Sequence, residues 1–440
     1  MALSVIILAA GNGTRMKSSL PKVLHRICGE ELLFYSIECA LSLSDDVQVV
    51  LYNQAQKIEE ACIAHFKNHP SFTHLSFVLQ DFLNFPGTGG ALMQNGKLLH
   101  TKHSQLLILN GDMPLITSDS LKPFLNKSPI NMGVISSKTP DGYGRVILEN
   151  GSVKAIVEEK DANEEQKRIC TINSGVYSFH RSVLENYLPK LNAQNAQNEY
   201  YLTDVIKLAA ADGISISSTE VSEEEFSGIN DKSQLAKAEE TMLERLRLQA
   251  MKAGVRMQLP HTIYLEKGVC FEGECEIEQG VQLCGKTLIK DSHIKAHSVI
   301  QNSQIIHSDI GPMAHIRPGS EIKNSHIGNF VEIKNSKLTG IKAGHLSYLG
   351  DSEIDEGSNI GAGVITCNYD GKTKHKTKIG KNVFIGSDSQ LIAPLTIEDE
   401  VLIAAGSTIR KDCKRGDLAL SRSEQKNLQD GYFSFFKDKQ

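Results

Sequence analysis

The sequence predicts two domains of different class, an α/β domain built on a mostly parallel sheet and then a parallel β-helix, with one long helix between them. Three observations carry this. Short apolar runs alternate with helical patterns from the start to about residue 230. Asp231 to Lys252 reads as a single helix. After Gly254 the apolar residues recur every six positions, a period that neither a helix nor an alternating strand produces.

In the first part, Ser4–Ala10, Asp46–Leu51 and Gln105–Leu109 are apolar runs of buried-strand length, and Pro21–Leu43 contains helical spacing. Strands alternating with helices imply a sheet covered on both faces. In the connecting segment Asp231 is placed to cap the helix, Gln234 stands at the capping-box position and Gly254 can stop it. Leu235, Ala238, Met242 and Leu246 give it an apolar stripe, and at ~1.5 Å per residue it makes a rod of about 33 Å. In the last part Ile379, Ile385, Leu391, Ile397, Ile403 and Ile409 are six apart. The same step runs through Ile263, Val269, Cys275 and Val281, through Leu265, Phe271, Ile277, Leu283 and Ile289, and through Ile310, Ile316 and Ile322. Such a period stacks inward residues coil upon coil from Tyr264 to about Ser421, with Thr366–Lys376 breaking it as a corner loop. The expected boundaries are 1–230, a helical linker 231–254, and 255–440 including the tail.

Composition narrows the function classes. The chain has 440 residues, a formal charge of −5, nine cysteines and no tryptophan. A duplex nucleic-acid binder is usually basic, so no nucleic-acid partner is expected. The cysteines form no C-x-x-C pair, which argues against a disulfide framework and suits a reducing cytosol. No apolar run reaches the ~20 residues of a membrane span, and the apolar start lacks the basic region and cleavage site of a signal peptide. A cytoplasmic protein is expected.

The first strand runs into Gly11-Asn-Gly-Thr-Arg-Met16. A dinucleotide fingerprint needs glycine where Met16 stands, and a P-loop needs Gly-Lys where the chain has Met16-Lys17. The glycines still let backbone N–H groups approach an anion, and Arg15 adds charge. Asp112 follows a strand, where α/β folds place ligands, and a carboxylate there suits Mg²⁺.

Ordered short motifs extend this. Leu8–Met16 is followed by Leu20-Pro-Lys-Val-Leu24, Gly87-Thr-Gly89, Asn110-Gly-Asp112, Gly142-Tyr-Gly-Arg145, Glu158-Glu-Lys-Asp161, Asn173-Ser-Gly175, Glu199-Tyr-Tyr201 with Thr203-Asp204, and Gly228-Ile-Asn230. The β-helix adds Arg317-Pro-Gly319, Gly328–Lys334, Lys342–Tyr348, Asn359–Ala362 and Cys367–Gly371. The first set resembles the sugar-nucleotide pyrophosphorylases. With the second, nearly the whole chain resembles the bifunctional N-acetylglucosamine-1-phosphate uridyltransferase / glucosamine-1-phosphate N-acetyltransferase family.

That resemblance implies a Rossmann-like nucleotidyltransferase domain, the connecting helix, and a left-handed hexapeptide β-helix. It implies acetyl-CoA-dependent acetylation of glucosamine 1-phosphate, then Mg²⁺-dependent uridylyl transfer from UTP, in cell-wall precursor synthesis (peptidoglycan and lipopolysaccharide). Arg15 and Lys22 would be catalytic, balancing charge on the triphosphate. Leu8, Ala9, Ala10, Gly11, Gln80, Gly87 and Thr88 would hold uracil and ribose. Gly144, Glu158 and Asn173 would hold the sugar, and Asp112 and Asn230 the metal. In the β-helix His345 would be the general base that leaves the attacking amine neutral, a task suited to an imidazole, which ordinarily titrates near ~6.5. Arg317, Lys334, Tyr348 and Asn359 would hold glucosamine phosphate. Ala362, Asn368, Tyr369, Ser387, Ala405 and Arg422 would line the acetyl-CoA groove; the basic run Lys372–Lys378 is either a solvated loop or an attractor of the CoA phosphates, with Lys374 the best match. A homotrimer is implied. The alternative keeps the uridyltransferase alone and makes the β-helix an assembly module; the His345 cluster distinguishes the two. The chain departs from the family pattern in a longer Gln80–Gly87 stretch, in Asn110 where many relatives have Tyr, and in a tail whose aromatics are Tyr432, Phe433, Phe435 and Phe436 rather than Trp.

Overall fold

A computed structural model describes residues 2–436 except 12, 127 and 150. The chain divides into two compact units, Met1–Met242 and Leu243–Gln440.

In the first unit the strands are ordered Ser152–Val157, Arg145–Glu149, Thr171–His180, Gln105–Asn110, Leu3–Leu8, Val47–Leu51, Leu75–Leu79. The last four are mutually parallel. Thr171–His180 runs antiparallel to Gln105–Asn110 and to Ile130–Ser136, so the sheet is mixed on one side. The parallel strands read as continuous apolar runs because both faces are covered: Val5, Ile6, Ile7, Val49 and Leu107 are all fully buried. Pro21–Glu31 is not helical as its spacing suggested. It forms a 3₁₀ turn at Lys22–Leu24 and a tight hairpin turned by Cys28 and Gly29 at φ 46° and 84°, and the helix starts at Leu32.

The long helix spans Lys232–Lys252. Asp231 caps it by accepting the Gln234 N–H (2.9 Å), but Gln234 reaches back to the N–H of Asn230 (2.7 Å), one residue before the expected partner. Gly254, at φ 103°, ends it. Its first turns belong to the first unit, where the Glu239 carboxylate accepts the Cys28 N–H at 3.1 Å. Its last turns pack Leu243, Leu246 and Ala250 on the apolar interior of the second unit.

That unit is a stack of three parallel sheets of ten, nine and eight strands, each only two to four residues long, forming the faces of a β-helix. Inward residues meet coil to coil: Leu283, Ile300, Ile316, Ile333 and Leu349 on one face, Ile289, Ile305, Ile322, Leu338, Ile354, Ile379 and Ile397 on another. All are at most 2 % exposed. Fully burying each such side chain contributes about 1.5–3 kcal/mol. Corner serines satisfy the buried backbone between coils: Ser292 accepts from the Ser308 N–H, Ser308 from Ser325, and Ser325 from Ile341, at 3.0–3.1 Å. The period break lies in the coil joining Ile354 to Ile379, but Thr366 is not in the loop; it sits in a strand, wholly buried, and the loop begins at Asn368.

Candidate active sites

In the first unit the parallel register brings several strand ends together. Leu8 lies opposite both Val50 and Asn110. The Gly111 N–H then donates to the Leu8 carbonyl (2.9 Å), and the Gln80 N–H to the Leu51 carbonyl (2.8 Å). Around these ends is a cavity of about 250 Å³. It is lined by nine of the expected residues, Leu8, Ala9, Ala10, Gly11, Lys22, Gln80, Gly87, Thr88 and Asp112. Val23, Phe82, Ala91, Asn110 and Glu199, to which no role was given from sequence, complete the wall.

The glycine loop is shaped by Lys22. Gly13 is at φ 57°, and a Cβ there would stand 2.6 Å from the Lys22 Cβ. Met16, in the place of a fingerprint glycine, is buried. The Lys22 ammonium is paired with the Asp112 carboxylate and lies 3.3 Å from the Asn230 Oδ1. The Arg15 guanidinium donates to that same oxygen at 2.9 Å. Arg15, Lys22, Asp112 and Asn230 therefore form one connected cluster. Beside it Gly228 leaves room that a side chain would fill, since its Cβ would sit 3.1 and 3.3 Å from the two Asp112 oxygens.

Gly144, Glu158 and Asn173 are joined to one another but do not line that cavity. The Asn173 N–H donates to the Gly144 carbonyl (2.9 Å), and a Cβ on Gly144 would come within 3.4 Å of the Glu158 carboxylate. Glu158 accepts from the Thr203 hydroxyl (3.0 Å) and faces a separate cavity of about 670 Å³ with Asp161 and Asp204. Burial raises the Glu158 carboxyl above its ordinary range, and the charges of Asp161, Asp204 and Glu199 push it the same way, while the Thr203 bond opposes them.

In the second unit the cross-strand register aligns Lys342, Asn359, Phe384 and Leu402. Three residues further on, His345, Ala362, Ser387 and Ala405 occupy the same corner of four successive coils. Hydrogen bonds tie this corner: the Asp388 N–H donates to the Ala362 carbonyl (2.8 Å), the Gly406 N–H to the Ser387 carbonyl (2.8 Å), and the Arg422 guanidinium to the Ala405 carbonyl (3.0 Å). His345 is exposed at the end of its strand.

Arg317, Lys334 and Tyr348 lie on the adjacent nine-stranded face. Arg317 is paired with Glu332 at 2.8 Å, and Glu332 is in register with Tyr348. The Lys334 ammonium is held below its ordinary range chiefly by Lys374, with Arg317 adding to it. A Cβ on Gly350 would stand 2.8 Å from the Asn368 Nδ2, so the amide crosses over that glycine. Asn368 donates to the Asp351 carboxylate, which is 6 % exposed, has φ 48° and also accepts from Asn335. Asp351 was not singled out from sequence. Asn359 is apart from this group, on the ten-stranded face. In the corner loop Tyr369 is exposed and bonds the Gly371 carbonyl (2.8 Å). Of the basic run, Lys376 and Lys378 are engaged by Glu353 (3.2 and 4.0 Å), and Lys374 faces Lys334.

Two family models match the chain: a MobA-like NTP transferase domain over residues 5–172, and the bacterial transferase hexapeptide (six repeats) over residues 376–411. Among relatives, a protein of Helicobacter hepaticus is 60 % identical over all of this chain and 98 % of its own length. One of Nitratiruptor sp. is 56 % identical over 99 % of each chain, and one of Helicobacter pylori 59 % identical over 99 % of each. All three are named bifunctional protein GlmU.

Proposed function

The chain belongs to the family of bifunctional GlmU proteins, and from that premise we propose how its two units divide two reactions. It is a bifunctional enzyme of UDP-N-acetylglucosamine synthesis, a nucleotidyltransferase joined to an N-acetyltransferase.

In the uridylyl transfer a phosphate oxygen of N-acetylglucosamine 1-phosphate attacks the α-phosphorus of UTP. The bond from that phosphorus to the bridging oxygen breaks, and pyrophosphate leaves. The protein contributes position and charge balance more than covalent work. The 250 Å³ cavity takes the uridine, Leu8–Gly11, Gln80, Gly87 and Thr88 being its contacts. Arg15 and Lys22 meet the triphosphate, and Gly144, Glu158 and Asn173 the sugar.

Mg²⁺ fits the Asp112–Asn230 pair. One carboxylate and one amide oxygen, with the open space at Gly228, suit a hard cation. Among the described residues no group of three or more His, Cys, Asp or Glu could hold a metal, so substrate oxygens and water would complete the shell. When bound, the ion would neutralise phosphate charge.

In the acetylation His345 takes the proton of the glucosamine ammonium. The freed nitrogen attacks the thioester carbon, the C–N bond forms, the C–S bond breaks, and coenzyme A leaves as the thiol on regaining a proton. The corner of Ala362, Ser387, Ala405 and Arg422, with Asn368 and Tyr369, is the acetyl-CoA groove. Arg317, Lys334, Tyr348 and Asn359 hold the sugar phosphate. A homotrimer would let a neighbouring chain bring the two faces into one site. The outward row Phe384, Leu402 and Leu418, 45–61 % exposed, is the kind of apolar surface such an assembly covers. No helix among the described residues is long and apolar enough to cross a membrane, and a cytoplasmic location suits the soluble substrates. The working boundaries are 1–230, 231–254 and 255–440.

The observation that supports this reading is that Arg15, Lys22, Asp112 and Asn230 cluster in the first unit, while His345, Ala362, Ser387 and Ala405 follow one another along a corner of the second. The test is to incubate the pure protein with acetyl-CoA, glucosamine 1-phosphate, UTP and Mg²⁺, omitting each in turn. UDP-N-acetylglucosamine should form only with all four, and N-acetylglucosamine 1-phosphate should accumulate without UTP.

A further inference from the structure

The Gln80–Gly87 stretch, where the chain departs from the family pattern, is ordered by its own hydrogen bonds. Gln80 is 5 % exposed, and its amide nitrogen donates to the carbonyls of Phe85 and Gly87, each at 3.0 Å. The Phe85 N–H donates to the Asp81 carbonyl (2.8 Å), and the Asn84 amide to the Asp81 carboxylate at 2.8 and 3.1 Å. Leu83, at the tip, is 89 % exposed. Its neighbour Phe82 turns the other way. The ring forms part of the cavity wall, and it stacks on Tyr52 with centroids 4.5 Å apart and planes 16° off parallel.

We propose that Phe82 is a nucleobase-stacking residue, and that the Tyr52–Phe82 pair is a braced platform for the pyrimidine ring of the nucleoside triphosphate. This rests on reading the cavity as the nucleotide site. A ring backed by a second ring has little rotamer freedom left to lose when a base lies on it. Stacking of this kind is worth about 5- to 150-fold in affinity per base and does not discriminate among bases. The Gln80 amide, committed to the Phe85 and Gly87 carbonyls, closes the loop that carries Phe82.

The test is steady-state kinetics of the full-length enzyme in both directions with Phe82→Ala, Phe82→Leu and Phe82→Tyr, and Lys22→Ala as a reference for the pocket. Phe82→Ala should raise KM for UTP, and for UDP-N-acetylglucosamine in the reverse reaction, about 5- to 100-fold, with kcat within threefold. KM for pyrophosphate, which has no base, should not move. Phe82→Tyr should restore wild-type values and Phe82→Leu should not. If Phe82→Ala fails to fold, Phe82→Leu carries the test. The platform is overturned if KM for UTP stays within twofold in the folded Ala and Leu variants while Lys22→Ala impairs UTP use. It is also overturned if KM for pyrophosphate rises as much as that for UTP. If neither Lys22→Ala nor the Phe82 variants change UTP use, the nucleotide-site reading fails, and the inference with it.

Discussion

Gly361→Ala should damage the second unit and spare the first. Gly361 lies where two coils pass close to one another at the corner assigned to acetyl-CoA. Its N–H donates to Ile385 (2.9 Å), and the next residue, Ala362, accepts from Asp388 (2.8 Å). A Cβ at 361 would stand 2.5 Å from the Ser387 nitrogen, 2.7 Å from the Ile385 oxygen and 2.8 Å from the Gly386 carbonyl carbon. All three are backbone atoms, so no side chain can swing aside. Reaching an ordinary contact of 3.4 Å means parting the coils by roughly 0.9 Å. Overpacking of this kind costs about 1–3 kcal/mol, and a strained coil-to-coil hydrogen bond adds about 0.5–1.5 kcal/mol. A total of about 1.5–4.5 kcal/mol should lower the melting of this unit by roughly 3 to 18 °C. A shift near 1 Å in a positioning corner can cost up to about 10²-fold in rate, so kcat/KM for acetyl-CoA should fall about 10- to 100-fold. The assays are calorimetry and thiol release from acetyl-CoA, with uridylyl transfer as the internal control. Gly344→Ala, where an added methyl meets nothing within 4 Å, is the stability control. A Gly361→Ala protein that melts with the wild type and keeps kcat/KM for acetyl-CoA within twofold refutes the reasoning.

Glu158→Gln should stabilise the first unit at pH 8 relative to wild type, and the gain should shrink as pH falls toward the ordinary glutamate value. The sign follows from the raised native pKa: the folded protein holds this proton more tightly, so wild-type stability is lost as pH rises through that interval. Melting curves of the two proteins at pH 5 and pH 8 check it. His345→Ala should lower acetylation by about 10²–10⁴-fold while melting is unchanged; a rate loss matched by unfolding would make His345 structural. Light scattering should give about three times the 48.3 kDa chain mass, and a stable monomer that still acetylates would exclude a shared site.

Much of this was legible in residue order because two periodicities are strict. The run from Ile379 to Ile409 is inward at every sixth residue, since each short strand must place one side chain in the shared interior. The strand ends near Leu8 and Asp112 were legible because parallel sheets put ligand loops there. What was missed depends on pairing at a distance. Pro21–Leu43 carried helical spacing, and Leu32–Leu43 is a helix, yet Cys28 and Gly29 turn the stretch before it into a hairpin. Thr366 was placed in a loop because the six-residue step lapses after it, although it is a buried rung whose hydroxyl accepts the Gly350 N–H at 2.7 Å. Phe82 and Asp351 carry no local signal; each matters through a partner far away in sequence, Tyr52 for the first and Asn335 and Asn368 for the second.

The central claim is that one chain carries two independent sites. The measurement that tests it most directly assays Asp112→Ala and His345→Ala for each half-reaction separately, with saturating Mg²⁺ and both proteins shown to be folded. The account predicts a crossed result: Asp112→Ala loses uridylyl transfer and acetylates like wild type, and His345→Ala does the reverse. Near-normal UDP-N-acetylglucosamine formation by Asp112→Ala, or loss of both activities in either folded variant, would contradict it.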